Sequence, residues 1–170
     1  MKGLIPKTIG FIGVFVSRLG HLLPNFSPLG SFGFFGGNFF LFIFGIILFD
    51  AFIGGFYKGF IFNYIGFLMY FLFGRIAKGN LKLQLSLLPI ASFAFFLISN
   101  FGVWHYWYPH TLEGLRLCYT LALPFFFNTL MGDLIFGYGF LFATKVLKPW
   151  ATNKFQNPTL NNQIPITNNQ

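Results

Sequence analysis

A chain of 170 residues that is 55% hydrophobic and only 8% charged cannot clothe a water-facing surface, for which soluble domains carry about 25% charged residues. The net charge of +8, from 11 Lys+Arg against 3 Asp+Glu, would suggest nucleic acid in a soluble protein. Here the basic residues stand at the ends of apolar runs, where they anchor to lipid headgroups, and no nucleic-acid motif accompanies them.

In chain order, the first candidate span is 8–23. Lys2 precedes a modest apolar run, but Arg18 and His21 follow it without a small-x-small cleavage site, so it reads as a retained membrane segment rather than a signal peptide. The connection "RLGHLLPNFSPLG" comes next. Pro24 and Pro28 stiffen it, so His21 and Asn25 are candidates to close over a ligand, and a rigid cap between two helices is the competing reading. "NFS" at Asn25–Ser27 fits a glycosylation acceptor, but the flanking prolines at a membrane edge make it a coincidental match. The second span is 29–49, ended by Asp50, and the third is 59–76.

The fourth span, 83–103, leads into "NFGVWHYWYPHTLEG". Trp104, Tyr106, Trp107 and Tyr108 are rings that favour a membrane–water interface. Asn100, an amide inside the end of an apolar helix, is not explained that way. The apolar stretch that follows is too long for one span without strong tilt. Pro124, Asn128, Gly132 and Asp133 interrupt it and divide it into spans 115–127 and 130–147. From Pro149 to Gln170 the composition turns to Asn, Gln, Thr and Pro, which reads as a flexible polar tail.

The expectation is therefore an all-α membrane protein, a polytopic bundle of about six transmembrane helices over 1–148 with a disordered tail over 149–170. Four or five spans remain open. A β-barrel is disfavoured because "FFLFIFGIILF" and "FAFFLIS" are apolar at every position, without in–out alternation. With the N-terminus inside, Lys2, Lys7, Lys58, Arg116, Lys145, Lys148 and Lys154 fall on the cytoplasmic side. Arg18, Arg75, Lys78 and Lys82 then fall outside, a weak bias that grows if the first segment only lies on the surface and the last two form a single kinked span.

Few residues can carry chemistry. Cys118 is the single cysteine, which excludes an internal disulfide and a cysteine-pair zinc site. His21, His105, His110, Glu113 and Cys118 lack the tight spacing of a metal set. No nucleophile motif or phosphate-cradling loop is recognisable, so neither an enzyme nor a cofactor is expected. Gly33-xxx-Gly37, Gly55-xxx-Gly59 and Gly13-xxx-Ser17 read as close-packing helix faces, within the chain or against a partner protein. Asp50 and Asp133 each end an apolar run, and a carboxylate at bilayer depth needs a cavity or a partner. Aromatic walls with a few convergent polar groups describe a small-molecule pocket. Its candidate lining is His21, Asn25, Asp50, Asn100, Trp104, Tyr108, Tyr119, Asn128 and Asp133, with Asn100, Asn128 and Asp133 sharing one polar environment near Trp104 and Tyr108.

"HLLPNFSPLGSFGFFGG", Asp50, "NFGVW", "YPHTLEGL" and "CYTLALPFFFNTLMGDL" occur in that order over 18–142, and with them the chain resembles the DUF6580 family of small bacterial membrane proteins. The family is similar in size and helix pattern to the substrate-binding S-components of energy-coupling-factor vitamin transporters. The resemblance implies a multi-pass protein of the bacterial inner membrane that binds and takes up a vitamin-like metabolite, energised by a partner membrane complex. The alternative is a structural or assembly subunit that docks another membrane protein through its glycine-rich helix faces.

Overall fold

The computed structural model describes residues 25–36 and 38–156, with side chains described through residue 145. All regular structure among these residues is helical: α1 Leu29–Phe35, α2 Phe39–Phe49, α3 Phe60–Ala77, α4 Leu81–Trp107 and α5 Leu112–Gln156. A π-helical turn, Asp50–Gly54, extends α2. Three helices are long and apolar enough to cross a membrane: α3, α4 and the stretch Leu112–Lys145 of α5. In hydrocarbon every backbone N–H and C=O needs an internal partner, so uninterrupted apolar runs become helices. The chain divides into two compact units, 1–138 and 139–170. All packing described below lies in the first; the second continues α5 as a helix to Gln156.

Polar side chains mark where the helices start. Asn38 Oδ1 accepts from Leu41 N–H at 3.2 Å and Asn80 Oδ1 from Leu83 N–H at 3.3 Å. Thr111 Oγ1 accepts from Gly114 N–H at 3.0 Å, satisfying a donor that the first turn of α5 would otherwise leave open.

The single helix expected over 29–49 is two. Gly36 leaves the helical conformation and Asn38 caps a fresh start, so α1 ends after seven residues. The break expected between 127 and 130 does not occur, and α5 runs through Pro124. Proline removes one helical hydrogen bond, whereas ending the helix in lipid would strand several backbone groups at once. The same helix passes Pro149, where the polar tail was expected to begin. Gly55 and Gly59 do not form a helix face either. Both have positive φ, 74° and 88°, in the turn that follows the π-helical segment. The segment 8–23, with Gly13 and Ser17, lies outside the described residues, as do Gly37 and 157–170.

Short α1 is built into the bundle rather than laid on it. Leu29, Gly30, Ser31, Gly33 and Phe34 are buried, and Leu29 and Phe34 join a core with Phe42, Ile46, Phe67, Tyr70 and Leu88. Glycines let backbones approach this closely. A Cβ on Gly74 of α3 would run into the Phe34 carbonyl, and one on Gly33 would lie 3.1 Å from the Phe42 ring. On α5, a Cβ at Gly132 would lie 2.9 Å from the Ser27 carbonyl oxygen, and one at Gly137 would strike Leu88. In a membrane, where lipid is as apolar as the core, such close contact is a main source of helix association.

Gly74→Ala therefore forces a methyl group against backbone that cannot rotate away, and it should cost about 1–3 kcal/mol of stability. Gly139→Ala, with nothing within 4 Å of the added methyl, should be neutral or stabilising by up to ~1 kcal/mol. Thermal denaturation in detergent measures both; equal losses would contradict the packing of α1 on α3.

Candidate functional site

Asp133 is the polar centre of the first unit. It is fully buried, at 0% exposure, on α5. Its Oδ2 accepts a hydrogen bond from the Tyr70 hydroxyl of α3 and another from Ser92 Oγ of α4 at 2.6 Å. Its main-chain carbonyl accepts from Ser31 Oγ of α1 at 2.9 Å. Four helices thus meet on one residue. Its second carboxyl oxygen, Oδ1, has no hydrogen-bond partner among the described residues. That oxygen faces Gly30 so tightly that a Cβ there would collide with it and with the Tyr70 ring. Phe67 and Phe95 flank the Tyr70 ring with centroids 6.4 and 5.7 Å away.

The local sequence explains how Ser92 gets there. Pro89, inside α4, has no N–H to offer Leu85, so that carbonyl is left open one turn before the cluster. Tyr138 of α5 fills it, its hydroxyl donating to Leu85 O at 2.7 Å. The repaired helix then presents Ser92, whose hydroxyl also lies 3.2 Å from the Leu88 carbonyl. Ser92 and Ala91 are both buried, and small side chains at these positions leave room for the carboxyl group.

Asp50 has a similar partner. It is 6% exposed at the start of the π-helical turn and accepts from the Tyr64 hydroxyl at 2.8 Å. Tyr64 and Tyr70 both belong to α3, so this one helix supplies a phenol to each buried aspartate. Their Cα atoms are about 9 Å apart along the axis at helical rise.

The aromatic connection of 104–110 closes on itself. Trp104 Nε1 donates to the Pro109 carbonyl at 3.1 Å, and His110 Nε2 sits 2.8 Å from the His105 carbonyl. The two imidazoles stack at 5.1 Å and 10°. These residues tie the end of α4 to the start of α5. Among the described residues no three of His, Cys, Asp and Glu come together as a metal set.

The residues expected to line a pocket fall in separate places. His21 lies outside the described residues. Asn25 is exposed, and its φ of 62° occupies the left-handed region that asparagine tolerates better than most residues. Asn100 does not share the environment of Asp133. Its amide donates to the Phe96 carbonyl of its own helix at 2.8 Å. It also stands beyond Ser92 by about 12 Å of helical rise from position 92 to position 100. Trp104 and Tyr108 belong to the closed connection, Tyr108 being half-buried where α4 ends. Tyr119 donates to the Leu97 carbonyl at 2.7 Å, and Asn128 is half-buried on α5. Asn100 thus lies apart from Asp133, whose own cluster is distinct from the Asp50–Tyr64 pair. Tyr70, Ser92, Ser31, Tyr64 and Tyr138 were not singled out from sequence. A serine one turn after an in-helix proline was the available signal for Ser92.

A helical bundle with three helices long and apolar enough to span a bilayer, joined through a buried carboxyl group, has the make-up of a membrane protein. The chain belongs to the DUF6580 family, a family of unknown function whose sequence profile matches residues 4–157. Neither the curated proteins nor the solved structures yield a match.

Tyr70→Phe and Ser92→Ala each remove one donor from the buried carboxyl. Each should cost about 1–3 kcal/mol in detergent denaturation, the range for leaving a buried polar group short of a partner. Tyr64→Phe tests the second pair in the same way. A neutral result for all three would show that the hydroxyl contacts contribute nothing to the fold.

Proposed function

We infer that the chain is a small-molecule binding and uptake component of the bacterial inner membrane, one that takes a vitamin-like metabolite and is energised by a partner complex, in the manner of S-components. One observation carries this reading: Asp133, an ionisable side chain, sits unexposed at the junction of four helices. Ionisable groups at bilayer depth are costly, and they mark substrate or ion pathways far more often than they serve packing. The aromatic surroundings of Tyr70 give the junction the mixed character of a small-molecule site. The alternative, docking of another membrane protein through glycine faces, has less support, because Gly33, Gly74 and Gly137 are occupied by contacts within the chain.

Mass spectrometry of small molecules retained by the detergent-purified protein tests this. The wild type should hold a metabolite, and Asp133→Asn, at unchanged folded yield, should retain at least tenfold less. A wild type that carries none, or an Asp133→Asn protein that keeps it, would overturn the reading.

The spans also imply an orientation. If α3, α4 and α5 each cross once, Arg75, Lys78 and Lys82 share one side, and Lys58 and Arg116 the other. The excess of basic residues then assigns the α3–α4 connection to the cytoplasm. In a Cys118→Ala background, Glu113→Cys should react with an impermeant thiol reagent in intact cells, and Lys78→Cys only after permeabilisation. Reaction of both from one side would contradict three crossings.

A further inference from the structure

We propose that Asp133 is a proton-binding site, a buried carboxyl whose hydrogen-bond shell is built to hold one exchangeable proton. The argument starts from the hydrogens available. Tyr70 has one hydroxyl proton, directed at Oδ2. Ser92 also has one, but two acceptors are in reach: Asp133 Oδ2 at 2.6 Å and the Leu88 carbonyl at 3.2 Å. With the carboxylate ionised, Tyr70 and Ser92 both donate to Oδ2. With the acid neutral, the Oδ2 proton is donated to Ser92 Oγ, and Ser92 turns its own proton to the Leu88 carbonyl. Tyr70 still donates to the remaining lone pair of Oδ2. The neutral arrangement therefore makes three hydrogen bonds where the ionised one makes two, with no heavy atom moved. The proton comes from water and returns to it, and no electrons are transferred.

The rest of the environment fits the same ligand. Oδ1 makes no hydrogen bond of good geometry, the Ser31 backbone being the one further group of α1 directed at the carboxyl, and a carbonyl oxygen tolerates this far better than a charged oxygen does. No ion pair reaches Asp133 among the described residues. From α1 the group that meets Asp133 is Ser31, on its main chain; from α3 it is Tyr70, the one titratable group in contact; from α4 it is Ser92. No lysine, arginine or histidine of the described residues is among these contacts. A metal cation of alkali type needs several oxygens around an open space. The free face of Oδ1 is instead closed by Gly30, where not even a methyl group fits. A proton needs no such space. The inference goes beyond metabolite uptake and does not depend on it, since the site is complete without a bound metabolite.

Infrared difference spectroscopy of the full chain in bilayers, recorded across a pH series, tests it. The expected result is a protonated-carboxyl C=O band that is lost as pH rises and is absent from Asp133→Asn. Asp50→Asn and Glu113→Gln should keep the band. Ser92→Ala should keep it too but move it to higher frequency, because the acid proton loses its acceptor; this variant also serves if Asp133→Asn fails to fold. A band that persists unchanged at every pH would make Asp133 a fixed neutral strut and overturn the proposal. So would the absence of any band assignable to Asp133, or a band that responds to sodium rather than to pH.

Discussion

A carboxyl group in a bilayer-spanning bundle is the constraint on which the rest of this structure depends. Asp133 is fully enclosed, and a polar group removed from water is costly unless other groups in the protein bond to it. A phenol from α3 and a hydroxyl from α4 reach the carboxyl, and a hydroxyl from α1 reaches the main-chain carbonyl of the same residue. Reaching one residue from three directions requires backbones to approach closely. The glycines at 30, 74, 132 and 137 sit at those approaches. Polar satisfaction and glycine packing are therefore one arrangement.

The backbone follows the same rule. Two prolines sit inside spanning helices, Pro89 and Pro124, and neither ends its helix. At Pro89 the repair is visible, because the carbonyl of Leu85 receives the Tyr138 hydroxyl. A phenol on α5 thus completes a hydrogen bond that α4 cannot make for itself, and the two helices are tied at a second point away from Asp133. Where the chain does stop a helix, it uses residues that satisfy the open ends: Asn38, Asn80 and Thr111 as caps, and Gly55, Gly59 and Gly79 in left-handed turns.

Much of this was legible in the sequence. Uncharged runs near spanning length placed α3 and α4 to within a few residues, and the scarcity of acids pointed to Asp50 and Asp133. The errors share a cause. Pro124 and Asn128 were read as breakers, as they would be in water, but hydrocarbon penalises broken helices more than it penalises a missing hydrogen bond. Gly33 and Gly37 were read as a packing face within one span, although Gly36 followed by the capping Asn38 ends one helix and begins another. The partners of Asp133 were hidden for a different reason. Tyr70 lies 63 positions away and Ser92 lies 41 away, and nothing local in "FLMYFLF" or "PIASFAF" announces a shared carboxyl group. The polar residues around Trp104 stood out by composition, yet they chiefly close their own turn.

Membership of DUF6580 supplies no chemistry, so the functional reading rests on what this carboxyl does in the bundle. A double-mutant cycle between Tyr70→Phe and Asp133→Asn, read by detergent denaturation, is the most direct measure of whether it joins the helices. The account predicts a coupling of about 0.5–3 kcal/mol, the range for residues in one hydrogen-bond network. Additive losses within about 0.5 kcal/mol, the behaviour of independent sites, would mean that Tyr70 and Asp133 stabilise the fold separately, and the buried carboxyl would not be the junction of this protein.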